Sequence, residues 1–208
     1  MMSYLVFDIE TYKSDRAEEY FEQKDFPADA RLKDPEKIEA DIAKKRASAM
    51  ERAALSPITG RVTCIGASVD GNYRFFSHID ERVLLEDFAT FIEGKIIHYY
   101  VSKNGYDFDI PFLRVRYMAN KLPMPIWLQP LSRGKHIDIK NYFGRGAMGI
   151  NGPSLKDLEF VLDIRRDGEK DALQCFDWWE NGDIESLEKY NEQDVRSTES
   201  IYLMVERP

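Results

Sequence analysis

Residues 4–10 read Tyr4-Leu5-Val6-Phe7-Asp8-Ile9-Glu10. The run is apolar through Ile9 and rich in β-favouring side chains, which predicts a strand over Tyr4–Ile9. Side chains alternate along a strand, so Leu5, Phe7 and Ile9 share one face, and Tyr4 and Val6 share the other with Asp8 and Glu10. Two carboxylates on the same side at the end of an apolar strand are costly to bury without a cation. At ordinary composition roughly one Asp-x-Glu triplet per 200 residues arises by chance. The triplet therefore needs partners elsewhere in the chain.

Beyond this strand, residues 14–52 are densely charged. Asp34-Pro35 marks a helix start, with Asp34 as cap and Pro35 at the first helical position. The helix predicted from Glu36 to Met50 carries only Ile38, Ile42 and Met50 as larger apolar residues, which makes it a peripheral helix or flap. Arg61–Val69 and Tyr73–Ser77 read as strands joined by Asp70-Gly71-Asn72, a hairpin signal. A helix is predicted over Arg82–Glu93, a strand over Ile96–Val101, a helix over Pro111–Asn120 and a short strand over His136–Ile139. Ser154 with Asp157 three residues on resembles a capping box for a helix through Leu162. Asp183 caps a last helix running toward Glu206. The expected fold is a mixed α/β sheet flanked by helices, with antiparallel early strands and parallel later ones joined by right-handed crossovers. The Gly-rich stretch Gly144–Pro153 lacks a phosphate-cradling fingerprint and reads as a plain connection.

The chain has 208 residues, a formal charge of −8 and a pI near 5.1. Its length suits a single domain over 1–208 with a charged helical insertion at about 14–56. The acidic balance counts against a purely electrostatic nucleic-acid binder, but bound divalent cations would cancel part of it. Cys64 and Cys175 form no CxxC pair, and with only three histidines a zinc site is disfavoured. Both cysteines are expected as reduced, buried thiols. No stretch approaches the roughly 20 apolar residues of a membrane span. The expectation is a cytoplasmic protein that does not engage a membrane.

Two further segments join Asp8 and Glu10. Asn104-Gly105-Tyr106-Asp107-Phe108-Asp109 follows the strand Ile96–Val101 and precedes a helix, where a carboxylate at the first turn is favourable. Asp107 competes with Asp109 as the inward carboxylate. Tyr190-Asn191-Glu192-Gln193-Asp194 lies on the last helix, and four-residue spacing puts Tyr190 and Asp194 on one face with Leu187 and Ile201. Asp138 is a further strand carboxylate, beside the metals or in a sheet-edge salt bridge. Asp157 reads as a cap.

In this order and spacing, Asp-x-Glu, Asn-x3-Phe-Asp and Tyr-x3-Asp resemble the three motifs of the DnaQ-like, or DEDD, 3′–5′ exonucleases on a ribonuclease H-like fold. Tyr190 matches the tyrosine branch; the histidine branch would need His where Lys189 stands. The chain is most similar to predicted exonucleases that resemble the proofreading domain of family-B DNA polymerases, as stand-alone proteins of bacteria and phages. Ala54-Leu55-Ser56-Pro57, Thr59-Gly60-Arg61-Val62 and Lys33-Asp34-Pro35-Glu36-Lys37-Ile38 also match.

The resemblance implies two divalent ions, Mg²⁺ or Mn²⁺, held by Asp8, Glu10, Asp109 and Asp194, with Asp8 bridging. Tyr190 would orient the attacking water, since its ordinary pKa near 10 makes it a poor base. Asn104 and Phe108 would shape the site around the terminal nucleotide. Lys103, Arg114, Arg133, Lys135 and Arg145 are candidates for phosphate contacts. Trp127, Trp178 and Trp179 read as packing. The expected substrate is the 3′ end of single-stranded DNA, with a replication or repair protein as a conceivable partner. An exoribonuclease using the same site, and a silent binding module on the same fold, are the competing readings.

Overall fold

A computed structural model describes residues 2–129, 135–144, 152–167 and 172–206. Its elements are β1 (Tyr4–Lys13), α1 (Ala17–Gln23), α2 (Pro35–Glu51), β2 (Gly60–Val69), β3 (Asn72–Ser77), α3 (Glu81–Ile92), β4 (Tyr99–Ser102), α4 (Asp109–Ala119), β5 (His136–Asp138), α5 (Ile139–Tyr142), α6 (Leu155–Val161), α7 (Gln174–Asn181) and α8 (Ile184–Val205). The five strands form one sheet in the order β3-β2-β1-β4-β5. β2 pairs antiparallel with β3, while β1 with β4 and β4 with β5 are parallel. This is the mixed α/β sheet expected from the sequence. No helix among the described residues is long and apolar enough to cross a membrane.

The chain divides into two compact units. One, Thr11–Arg61, holds α1 and α2. Asp34 caps α2 by accepting from the Glu36 N–H, with Pro35 at its start, and α2 buries no residue. A small cluster of Ala17, Phe21 and Ala53, with Phe26, Ala49 and Met50 against it, forms this unit's core.

The other unit, Met1–Glu10 with Val62–Pro208, carries the acidic residues of interest. The alternation along β1 sorts them. Leu5, Phe7 and Ile9 belong to a core shared with Leu84, Leu85 and Phe88 of α3 and with Phe112 and Leu113 of α4. Tyr4 and Val6 belong to a second core with Leu158 of α6 and Val195, Ile201 and Tyr202 of α8. Asp8 and Glu10 follow Tyr4 and Val6 in phase, so the strand aims them at the α8 side. The β2–β3 hairpin turns at Asp70 and Gly71, both at positive φ (50° and 88°) as a tight twisted turn requires. The Asp70 carboxylate ties the hairpin to β1 by accepting from the Tyr4 N–H (3.0 Å) and the Ser3 hydroxyl (2.7 Å).

Several expectations need correction. β1 runs on to Lys13, so Asp8 and Glu10 lie within the strand rather than at its end. β4 begins at Tyr99, not Ile96. α3 ends in a turn in which the Lys95 N–H bonds to the Ile92 carbonyl and Gly94 takes φ 75°, leaving Ile96 77% exposed before pairing starts. β5 stops at Asp138 because that residue caps α5 through the Lys140 N–H. The helices α1, α5 and α7 have no counterpart in the sequence reading.

Candidate active site

α8 brings Asp194 to the two carboxylates of β1. One oxygen from each of Asp8, Glu10 and Asp194 lies within 4.8 Å of the others. Asp194 reaches this place because α8 is held by its buried stripe of Leu187, Val195, Ile201 and Tyr202, and is started by Asp183, which accepts from the Ser186 N–H. Asp109, the first residue of α4, is 3% exposed, and its Oδ1 accepts from the Ile9 N–H at 3.2 Å. It is not one of the trio, yet its charge acts on both Asp8 and Glu10. Asp107 turns outward and meets Lys140 Nζ at 3.4 Å. Of the two carboxylates in that loop, Asp109 is therefore the inward one.

Burial and mutual repulsion dominate the electrostatics. Burial, then the charges of Asp109, Glu10 and Asp194, pushes the Asp8 carboxyl well above its ordinary range. Burial, then Asp194 and Asp109, does the same to Glu10. Burial pushes Asp109 up to about 7, against the pull of the backbone N–H groups of Asp109 itself and Ile9. Asp194 is also raised by burial, with the Arg166 guanidinium and the Tyr190 hydroxyl working against the rise. Carboxylates placed this way gain most from a hard cation with oxygen ligands, so the donor set suits Mg²⁺ or Mn²⁺.

Tyr190 sits one turn before Asp194 on α8, is buried, and hydrogen-bonds to that carboxylate. Burial and then Asp194 drive its phenol upward, so it stays protonated. Its ring lies 5.8 Å from the Arg166 guanidinium and 6.0 Å from the Trp178 ring.

The other predicted contacts fall differently. Asn104 takes φ 68° and closes a turn. Its carbonyl accepts from the Asp107 and Phe108 N–H groups at 3.1 Å, and its side-chain oxygen is bonded by Lys140. Phe108 packs on Phe112 with ring centres 5.4 Å apart and leans on the α3–α4 core. Lys103 is partly buried, which lowers its ammonium pKa. The Arg114 Nε–H bonds to the Leu128 carbonyl, which fixes it to the protein's own backbone. Lys135 is exposed, and Arg133 and Arg145 lie outside the described residues, as does most of the Gly144–Pro153 stretch. Trp127 is core, stacked on Tyr100 at 5.1 Å. Trp178 and Trp179 pack on a cluster that includes Cys64, Cys175, Leu187 and Tyr190. Both cysteines are free and buried, and the Cys175 thiol bonds to Glu10.

Asp138 forms no salt bridge among the described residues. Its carboxylate accepts from the N–H groups of Asn104 (2.9 Å), Tyr106 (3.0 Å) and Lys140 (2.9 Å) and so moulds the loop leading to Asp109. Asp157 caps α6 in a full capping box with Ser154.

Three side chains beside the carboxylates were not singled out from the sequence. Arg166 bonds to Asp194 and also grips Glu159 of α6, with Nε–Oε1 at 3.0 Å and Nη2–Oε1 at 2.8 Å. Asn191 of α8 donates to Asp8 Oδ2 at 2.9 Å. Nothing in local spacing marks Arg166 or Glu159. Asn191 stands inside the Tyr190–Asp194 segment, one residue past the tyrosine, and its total burial was the missing clue.

A mixed sheet whose first strand and last long helix bring three carboxylates together defines an α/β fold with a carboxylate cluster between sheet and helix. The chain belongs to the RNase_H superfamily, whose family model matches residues 49–205. Among solved structures it is similar to the family B DNA polymerase from the hyperthermophilic archaeon Pyrobaculum calidifontis. There the TM-score is 0.63 at 17% identity, covering 95% of this chain and 24% of that one. It is also similar to exonuclease I in a product-bound structure, with a TM-score of 0.53 at 12% identity, covering 99% of this chain and 43% of that one. The chain thus spans about a quarter and under half of those two proteins, and the likeness is one of fold. No curated protein sequence matches it. The resemblance to DnaQ-like exonucleases drawn from the three motifs is borne out at the level of fold.

Proposed function

We propose that this chain is a divalent-metal-dependent 3′–5′ exonuclease that removes nucleoside monophosphates from the 3′ end of nucleic acid, single-stranded DNA by preference. The observation that carries the reading is the convergence of Asp8, Glu10 and Asp194 within 4.8 Å, with Tyr190 hydrogen-bonded to the last of them. The three motifs in their order, the RNase_H superfamily match and the likeness to a family B polymerase and to exonuclease I support it. We read residues 1–208 as one exonuclease domain with a charged helical insertion at about 14–56. A nucleic acid is the partner, with a replication or repair protein as a further one.

Two Mg²⁺ or Mn²⁺ ions, when bound, supply positive charge at the scissile phosphate and lower the pKa of the attacking water. Asp8, Glu10, Asp194 and Asp109 would supply hard oxygen ligands, and the charges of the other three all act on Asp8. Tyr190 keeps its proton, so its hydroxyl donates to Asp194 and orients the nucleophilic water by accepting from it, and does not act as a base. Asn104 and Phe108 form the turn that delivers Asp109, and with Lys103 they line the approach of the terminal nucleotide.

The test is a time course on 5′-labelled single-stranded DNA with Mg²⁺, Mn²⁺ or EDTA, beside Asp8→Ala, with matched RNA in parallel. A ladder of shortening products that EDTA and Asp8→Ala abolish is expected. Faster trimming of RNA would reassign the substrate. No cleavage of either polymer with either metal would overturn the enzymatic reading.

A further inference from the structure

Asn191 is completely buried (0% exposed) on the inner face of α8, one turn before Val195 and beside the carboxylates without being one of them. Its amide nitrogen donates to Asp8 Oδ2 at 2.9 Å and to the Asp8 carbonyl at 3.4 Å. Its amide oxygen accepts from the Tyr73 hydroxyl on β3 at 3.3 Å. A carboxylate and a carbonyl can only accept, so the amide nitrogen must face Asp8 and the oxygen must face Tyr73; the chemistry of the partners fixes the orientation. The two N–H bonds of this single amide both converge on Asp8, one on its side chain and one on its backbone.

The sheet is shaped to admit this side chain. Gly66, on β2, lies against the amide: a Cβ there would stand 1.7 Å from Asn191 Oδ1 and 3.1 Å from the Tyr73 ring. No non-glycine residue fits at position 66 while Asn191 holds its place. Val62, Cys64, Ile65 and Ala67 of β2 are fully buried around it, and the space left at Gly66 is filled by the Asn191 amide.

We propose that Asn191 is a positioning residue for the metal centre: it fixes Asp8 in the one orientation that presents its second oxygen to the shared ions. The relay runs from Tyr73 through Asn191 to Asp8, across β3, α8 and β1, with Gly66 as the space it needs. A hydrogen bond donated to a carboxylate favours the ionised form and removes one rotamer from competition, so ion binding need not order Asp8. One oxygen of Asp109 is held in the same manner by the Ile9 N–H, and one of Asp194 by Arg166. Asn191 is the uncharged side chain among these three donors and belongs to none of the neighbouring apolar clusters. Its polarity inside a closed sheet–helix interface is explained by Asp8.

The inference rests on the metal-site reading above, and the experiment separates the two. Mn²⁺ is titrated by calorimetry, without substrate, into the wild-type chain, Asp8→Ala, Asn191→Ala and Tyr73→Phe, at a temperature where each is folded by circular dichroism. The expectation is loss of binding in Asp8→Ala, about 10- to 100-fold weaker Mn²⁺ binding in Asn191→Ala, and a smaller weakening in Tyr73→Phe. An Asn191→Ala protein that binds Mn²⁺ as the wild type does overturns the positioning role while leaving the metal site standing. If Asn191→Ala does not fold, Tyr73→Phe decides, since it keeps the ring and removes only the donor: unchanged Mn²⁺ affinity overturns the proposal and weakened affinity supports it. A wild-type chain that binds no Mn²⁺ overturns the metal site and the relay together.

Discussion

Replacing Asp109 with Asn should stabilise the metal-free protein at pH 8 while weakening it as a metal binder. The carboxyl is buried and pushed up to about 7. A group whose pKa is raised on folding adds stability below its unfolded pKa, near 4, and that contribution is lost as pH climbs through the folded value. Above about pH 7 the folded chain carries a charge it would rather protonate. Each tenfold rise in proton affinity is worth about 1.4 kcal/mol, so a carboxyl moved from near 4 to about 7 carries a ceiling of about 4 kcal/mol for this cost. Strain shared among the four carboxylates, and the desolvation of the new amide, reduce it to about 1–3 kcal/mol. Asn keeps the oxygen that accepts from the Ile9 N–H at 3.2 Å, so the fold around it need not change. For a chain of this size the gain corresponds to about 3–10 °C in melting temperature. The assay is thermal denaturation of both proteins in EDTA at pH 8 and pH 5, repeated with Mn²⁺. In EDTA the variant should melt higher at pH 8, and its margin over the wild type should shrink by pH 5, where Asp109 of the folded chain is protonated. With Mn²⁺ the wild type should gain more, because a ligand bound only by the native state raises apparent stability. A variant that is less stable than the wild type by the same amount at both pH values would refute the account of Asp109 as a strained carboxylate.

Arg166→Gln leaves Glu159 buried without its cation and should cost about 3–5 kcal/mol in urea denaturation; it should also move the onset of Mn²⁺ binding to higher pH, because Arg166 is what holds Asp194 down. Equal pH midpoints for the two proteins would show that Arg166 serves Glu159 alone. Glu81→Gln removes the buried charge that Arg116, Asn120 and the Val62 N–H share, with contacts of 2.6–3.1 Å. It should lower the melting temperature by about 6–20 °C and leave Mn²⁺ affinity of the folded protein unchanged; altered affinity would mean that this network couples to the acidic centre.

What could be read from sequence was whatever local geometry dictates. The phase of Tyr4 to Glu10 sorts residues into two cores and sends both carboxylates to the α8 side without reference to any other segment. Asp34 with Pro35, Ser154 with Asp157, and Asp70 with Gly71 announce caps and a turn because their side chains or φ values act within three residues. The four-residue step from Tyr190 to Asp194 is of the same kind. Contacts that join distant segments could not be read. Arg166 meets Asp194 across 28 positions and sits in an irregular segment with no periodicity to place it. Gly66 looks like a weak point of a strand until Asn191, far along the chain, is found in the space it leaves. Asp138 looked like a metal neighbour or a salt-bridge partner, since a strand carboxylate gives no sign that three backbone N–H groups will claim it. The start of β4 was misplaced because Ile96 and Ile97 are apolar alike, and only the turn at Gly94 decides that the first is exposed and the second buried.

The acidic composition and the polyanionic substrate of the proposed function are compatible for a reason visible at the centre itself. Asp8, Glu10, Asp109 and Asp194 are all raised, so near neutral pH the metal-free centre is partly protonated and less negative than four carboxylates would suggest. On the proposed function, divalent ions bound there would displace protons, and metal binding, proton release and stability would be one linked equilibrium. Asp8, Asp109 and Asp194 each accept from a donor of the surrounding fold: Asn191, the Ile9 N–H and Arg166. Two of these donors, an amide and a backbone N–H, are uncharged, and the third, Arg166, is shared with Glu159 so that the pair adds no net charge. The site is thus ordered without being neutralised, and on the proposed function its negative charge would be available to the divalent cations.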